Sequence, residues 1–294
     1  MRVAVLGSGS GGNALIVESG GRRLLLDAGF SCRQIEQRLA SLDEEASRID
    51  ALLLTHEHSD HCRGVEVLER RHGIPVYATA GTFAGIRWSD RGQRRDLRTI
   101  RSGEPFHTPG FRIEAFRLPH DAREPVGFVI EDEPGSRLGL AADLGSRSQL
   151  AWGRLRDLDC LVIETNHDLQ MLRTGPYPWH LKQRVASRHG HLSNHDAAAG
   201  LDELVGDRLR SVVLYHLSRT NNLPALAAGE VGEKLAAVGS RAEIVLTRQD
   251  EPTPWIEVPG AAADAQRGGA AAGVAGNRRR RIGWEPQPRQ LDLW

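Results

Sequence analysis

Thr55-His56-Glu57-His58-Ser59-Asp60-His61 brings three imidazoles and the Asp60 carboxylate close together, directly after the apolar run Ala51-Leu52-Leu53-Leu54. A run that short and that uniformly apolar fits a buried strand, which puts the polar residues on a loop at the sheet rim. On an extended rim His56 and His58 point the same way and can share one metal ion. Asp60 and His61 fall where a helix would begin, because Cys62 to Glu69 carries apolar residues at 65 and 68, and they can serve a second ion.

The pattern His56-x-His58-x-Asp60-His61 is similar to the HxHxDH signature of the metallo-β-lactamase superfamily. That resemblance implies an α/β chain folded as an αββα four-layer sandwich, with further ligands arriving from distant loops. It makes His120 the third imidazole on the first ion, His216 the completion of the second ion's set with Asp60 and His61, and Asp143 a carboxylate bridging both. Asp27, at the end of a predicted strand, is expected to orient a ligand histidine, since imidazole ligands need a partner for their other nitrogen. Nitrogen and carboxylate donors suit zinc, and the more oxygen-rich second position suits manganese. The expected cofactors are therefore two divalent ions, zinc or manganese, with a hydroxide between them.

Composition sets the bounds. The chain has 294 residues, 40% of them hydrophobic, and no net charge, so a wholesale basic surface is excluded. Residues 259 to 294 nevertheless hold six Arg against three acidic residues. Three widely spaced cysteines, Cys32, Cys62 and Cys160, suggest neither a disulfide framework nor a zinc knuckle, and no apolar run reaches membrane-spanning length. The expectation is a cytoplasmic protein away from the membrane.

Along the chain, Val3–Leu6, Ala14–Glu18 and Arg23–Asp27 read as strands. Between the first two, Gly7-Ser8-Gly9-Ser10-Gly11-Gly12-Asn13 is either a flexible hairpin or a loop whose backbone and small side chains, Ser8, Ser10 and Asn13 among them, approach an anionic substrate. The spacing predicts helices over 31–42, 62–69, 82–88, 178–188 and 223–238, and one starting at Ser193 or Asn194. Strands are predicted over 75–78, 111–118, 126–131, 137–142, 159–164, 210–215 and 242–246. The arginine-rich stretch from Arg87 to Arg101 reads as solvated surface or as a phosphate-contacting patch. His72, His107, His180, His189 and His195 have no second ligand at metal spacing, whereas His167, three residues after Glu164, is expected to support that carboxylate.

Three features bear on the substrate. Glu164 and His191 resemble the pair that donates a proton to the leaving oxygen in tRNA 3′-processing endonucleases, and a departing alkoxide needs such an acid. With Asp60 they form the expected catalytic set. Thr165-Asn166-His167-Asp168, Gly175-Pro176-Tyr177-Pro178-Trp179, Leu181-Lys182-Gln183-Arg184 and Asn221-Asn222-Leu223-Pro224 resemble the WalJ/YycJ-type branch, which implies a 5′-to-3′ exonuclease on double-stranded DNA. Lys182 and Arg184 would hold a terminal phosphate there. Pro119, His180 and Tyr215 depart from that branch, where small residues are more usual.

Finally, residues 1–258 read as the catalytic domain, 259–283 as a disordered Ala/Gly/Arg-rich linker, and 284–294 as a tail. Its last residues, Gln290, Leu291, Asp292, Leu293 and Trp294, resemble the peptide that docks on the bacterial DNA sliding clamp, with Gln290, Leu291, Leu293 and Trp294 as the contacts. The leading expectation is a clamp-recruited DNA exonuclease in replication-linked repair. An RNA-processing endonuclease, a glyoxalase-II-like thioester hydrolase and a non-catalytic clamp-associated adaptor stand beside it.

Overall fold

A computed structural model describes residues 1–89 and 95–260. Its scaffold is two seven-stranded sheets. The first contains β1 (Arg2–Gly7), β2 (Ala14–Ser19), β3 (Arg22–Leu26), β4 (Ala51–Leu53), β5 (Val76–Thr79) and β6 (Leu97–Ile100) in sequential order. The second contains β7 (Pro105–Thr108), β8 (Phe111–Arg117), β9 (Val126–Asp132), β10 (Arg137–Ala141), β11 (Cys160–Glu164), β12 (Ser211–Tyr215) and β13 (Glu243–Leu246). The short β14 (Ile256–Glu257) returns to pair with β1.

Each sheet is antiparallel in its first strands and parallel in its last four. Parallel strands need crossovers, and helices supply most of them. Outside the first sheet lie α1 (Cys32–Ala40), α2 (Ser59–Cys62), α3 (Val65–His72) and α4 (Ala80–Gly85). Outside the second lie α5 (Gln149–Arg154), α6 (Leu169–Thr174), α7 (Trp179–Val185), α8 (Asn194–Leu204) and α9 (Pro224–Ala237).

Alternation along the strands builds the layers. In β1, Val3 and Val5 enter the core between the sheets, where they join Leu24, Leu53, Phe128, Val162 and Val213. Ala4 and Leu6 point outward and pack with Ile35 and Leu39 of α1. The second sheet's outer face packs Leu161, Ile163 and Leu214 against Trp152 of α5, Leu201 of α8 and Val231 of α9. Each fully buried Leu, Val or Phe contributes about 1.5–3 kcal/mol, so the four-layer sandwich expected from the sequence is held by three separate apolar layers.

Several local expectations are corrected. The helix predicted over 62–69 is two helices, because Gly64 donates its N–H to Ala28 O and breaks the run between α2 and α3. The short helix predicted over 82–88 begins at Ala80, capped by Thr79. The arginine-rich stretch contains the edge strand β6. Within it Arg98 bonds the Tyr77 hydroxyl at 2.5 Å, and Arg95 bonds Glu66 while stacking on Trp88; residues 90–94 lie outside the described residues. Among the described residues no helix is long and apolar enough to cross a membrane.

Candidate metal centre and its cavity

The loops that leave the C-terminal ends of β1, β3, β4, β8, β10, β11 and β12 gather along one edge of the sandwich, the usual place for a site in an α/β sheet. Among the groups of donor atoms they bring together that could hold a metal ion are two that share Asp143: His56, His58, His120 and Asp143, and Asp60, His61, Asp143 and His216. In the first, His58 Nδ1 lies 3.0 Å from His56 Nε2 and 3.3 Å from His120 Nε2. Asp143 Oδ2 stands 3.5 Å from His56 Nε2, 3.6 Å from His120 Nε2 and 3.2 Å from His61 Nε2. Asp143 thus faces both groups. Asp60 Oδ2 is 3.6 Å from both His61 Nε2 and His216 Nε2.

Three imidazole nitrogens aimed at one point cannot all satisfy one another by hydrogen bonding, and His216 Nε2 is buried without a hydrogen-bond partner. Both facts are what a cation would resolve. The outer nitrogens are tied down in the way ligand histidines require. His61 Nδ1 is 2.7 Å from Asp27 Oδ2, His120 Nδ1 donates to Gly190 O at 3.0 Å, and Thr55 Oγ1 is 3.0 Å from His56 Nδ1. Asp27 in turn accepts the Thr55 N–H at 2.8 Å, which locks the start of the heptapeptide to the end of β3.

The backbone is held in costly conformations at three of these residues. Asp27, Asp143 and His216 have φ of 60°, 52° and 57°, in the left-handed region that non-glycine residues seldom occupy and that clusters at functional sites.

Electrostatics agree with a cation site. Burial pushes the His56 imidazole well below its ordinary pKa, and His61 and other rings add to that. Burial also opposes protonation of His61 and His216, yet the carboxylates outweigh it, Asp143 foremost, and hold both rings well above the usual histidine range. The carboxylates that favour a proton there favour a metal cation for the same reason.

Glu164 is fully buried. Burial would raise its pKa, but the charge of His191 and hydrogen bonds from His191 and His216 bring it down to about 2. Its Oε1 lies 2.7 Å from His191 Nδ1 and 3.2 Å from His216 Nδ1, while Oε2 accepts Leu144 N–H and Leu192 N–H. With Nδ1 committed, His191 is left to face outward through Nε2. Burial opposes protonation of His191 too, but Glu164 raises its pKa.

A cavity of about 260 Å³ opens over these groups, lined by Ser10, Asp60, Asp143, Arg184, His191 and His216 among others. A second, of about 230 Å³, shares Ser10, Arg184 and His191 and continues past Tyr177, Leu181 and Asn221. A larger groove of about 970 Å³ lies elsewhere, between β13 and β14, and carries none of the site residues.

The sequence-derived substrate contacts separate here. Ser10 and Arg184 line both cavities, with Arg184 paired to Asp121 at 2.7 Å. Ser8 and Asn13 are buried and turned inward. Ser8 Oγ accepts the His216 N–H at 2.7 Å and donates to Asn13 Oδ1, and Asn13 Nδ2 is 3.1 Å from His61 Nε2. Lys182 donates to Arg173 O and is not among the cavity-lining residues. His167 is buried with Nδ1 unpartnered, and burial takes its pKa down to about 4; it makes no bond to Glu164, whose oxygens are already engaged. His72 is not solitary: its Nε2 is 2.8 Å from Glu36, which Cys32 also contacts, so it ties α3 to α1.

Sequence reading passed over Gln249, whose side chain accepts Gly11 N–H at 2.6 Å and donates to Gly12 O at 2.7 Å, pinning the glycine loop from the far end of the chain. No local signal marks that residue. Asn222, by contrast, lies within a quoted motif; it donates to Thr165 O and Asn166 O and holds the loops after β11 and β12 together.

Residues 22–217 match the model of the β-lactamase superfamily domain. The chain belongs to the metallo-β-lactamase superfamily. Within it this superfamily member stands in the WalJ/YycJ branch. It is 36% identical to the exodeoxyribonuclease WalJ of Streptococcus pneumoniae over 264 residues, 87% of this chain and 98% of that one. It is 35% identical to the exodeoxyribonuclease YycJ of Bacillus anthracis over 258 residues, 86% of this chain and 97% of that one. Among solved structures it resembles Zn(2+)-bound PqqB from Methylobacterium extorquens, with a TM-score of 0.62 and 24% identity, covering 86% of this chain and 99% of that one. The last likeness shows the fold alone. Fold, donor set and relatives make the protein a metal-dependent hydrolase.

Proposed function

We propose that the protein is a two-metal phosphodiester hydrolase that degrades double-stranded DNA from 5′ to 3′. The observation that carries this reading is His191, held from behind by the buried Glu164, lining the same cavity as the metal donors. His56, His58, His120 and Asp143 would hold one ion and Asp60, His61, Asp143 and His216 the other, with zinc or manganese as the candidates. When bound, a pair of such ions acidifies water and offsets the charge of the reacting phosphate.

The chain's own residues do the rest. Ser10 and Arg184 meet the phosphate on the cavity wall, the guanidinium offering donors in a fixed fork. His191, held by Glu164 through Nδ1, presents a proton at Nε2 to the departing oxygen. A thiolate leaves without such help, so the pair favours a phosphodiester over a thioester. The names of the WalJ and YycJ relatives, both exodeoxyribonucleases, supply DNA as the substrate.

The test is digestion of duplex DNA labelled at either end, with manganese or zinc supplied, beside structured RNA and a glutathione thioester. Stepwise loss from the 5′-phosphorylated end of the duplex is the expected outcome. Preferential RNA cleavage would give the RNA-processing reading its support, and thioester turnover without nucleolysis the glyoxalase-like one. The reading extends to a cytoplasmic role in replication-linked repair, with recruitment to the sliding clamp by Gln290, Leu291, Leu293 and Trp294, which lie outside the described residues. A clamp-associated adaptor without catalysis predicts that His61→Ala leaves cellular function intact.

A further inference from the structure

Away from the edge that carries the histidine-rich loops, one other place brings metal-type donors together. Cys32, Glu36 and His72 each offer a ligand atom, and the three atoms lie within 4.8 Å of one another. Among the described residues this is the only such group outside that edge, and the only one that contains sulfur. His72 Nε2 stands 2.8 Å from Glu36 Oε1, and Cys32 Sγ stands 3.6 Å from the same oxygen. Ligands about 2.0–2.3 Å from a tetrahedral zinc ion lie roughly 3.3–3.6 Å apart, so shifts of about half an ångström would seat all three on one ion.

Local structure fixes where these donors stand. Cys32 and Glu36 are one turn apart on α1, the spacing that sets two side chains on one helix face. A capping box between Ser31 and Gln34 holds the start of that helix. His72 is the last residue of α3, whose end is set by Gly73 at φ 66° donating its N–H to Glu69 O. Ile35 and Leu39 of α1 share one apolar layer with Val65 and Leu68 of α3. An ion can reach the group, because Glu36 and His72 keep 25% and 15% of their side chains exposed while Cys32 is buried. Arg71 lies 3.3 Å from both Glu36 oxygens and is itself largely exposed, so it can stay on Oε2 while Oε1 turns to an ion.

We propose that Cys32, Glu36 and His72 form a separate zinc site that clamps α1 to α3. It is independent of the nuclease reading. A thiolate, an imidazole and a carboxylate together suit zinc, and the sulfur disfavours manganese and magnesium. Three protein ligands leave a fourth position for water. On binding, the Cys32 thiol loses its proton to solvent as the zinc–sulfur bond forms, and His72 Nε2 exchanges its hydrogen bond to Glu36 for the ion. Burial and the charge of Glu36 push the Cys32 thiol above its ordinary pKa, so binding tightens as pH rises.

Cobalt(II) titration of the full chain tests it. The donors at the other centre are nitrogen and oxygen alone, so a thiolate-to-cobalt charge-transfer band in the near ultraviolet reports this site and not that one. The wild-type protein should develop the band, and zinc should displace it. Cys32→Ser should abolish it, and His72→Gln should move it to at least about tenfold higher cobalt, more than the loss of an outer partner costs. Glu36→Gln keeps an oxygen for the hydrogen bonds between the helices, so a weaker band there is a loss of ligand and not of fold. Zinc content should fall by one ion per chain in Cys32→Ser, with hydrolysis at the wild-type rate. A wild-type protein without the band would overturn the proposal. So would a band that survives Cys32→Ser, which would assign the thiolate to Cys62 or Cys160.

Discussion

Asp143 faces both donor groups, and its burial without solvent is tolerable only because histidines surround it. Its replacement by Asn should lower the content of both bound ions together, measured by elemental analysis of the purified protein, whereas loss of His120 should deplete one ion more than the other. Asp27 acts one step further out. Asp27→Asn should weaken metal binding or activity about 10- to 100-fold, read as metal retained against a graded chelator. Glu164→Gln should separate proton delivery from metal binding. Activity on duplex DNA should fall about 10²- to 10⁴-fold while metal content stays at the wild-type level. The chemistry of these residues was readable one at a time, because His, Asp and Glu announce themselves by type. Which oxygen of Glu164 meets which histidine was not, and His167 shows the cost of arguing from spacing: it follows Glu164 by three, yet β11 has ended and the chain has turned inward.

At the scale of elements, the loop Gly7–Asn13 is shaped by contacts rather than by flexibility. Gly9 and Gly12 adopt φ of 142° and 155°, and a Cβ on Gly12 would meet Gly29 O at 2.7 Å. Gln249 closes the loop from outside, so Gln249→Ala should leave Ser10 less well placed, seen as a higher KM for duplex DNA with a smaller change in kcat. Gly29 has a harsher requirement, since a Cβ there would lie 1.7 Å from Asp60 O. Gly29→Ala should cost at least the roughly 1–3 kcal/mol of an overpacked site, measured by urea unfolding, and should also disturb the metal loop. Most strands and the longer helices were legible from their periodicity. The exceptions have physical reasons. The edge strand β6 has only four residues, with Arg98 and Thr99 exposed between Leu97 and Ile100, too few to show an alternation. The short helices α5 and α6 have too few turns to show a period.

For the whole molecule, the site exists because two sheets face each other with their ligand-bearing strand ends on one edge. Removing metal with a chelator should therefore abolish hydrolysis while leaving the three apolar layers, and hence the circular dichroism spectrum, largely unchanged. The proposed recruitment to the sliding clamp predicts that Trp294→Ala in the full chain abolishes clamp binding, followed by titration, with no loss of nucleolysis on free DNA. By itself the sequence determined the superfamily and the sandwich, because a strand followed by HxHxDH carries its chemistry within seven consecutive residues. Only the tertiary structure decided that Asp143 faces both donor groups, that Ser8 and Asn13 turn inward while Ser10 and Arg184 reach the cavity, and that Gln249 braces a loop some 240 residues away. Those outcomes depend on distances between residues remote in the chain, and a local pattern holds no information about them until the sheets have packed.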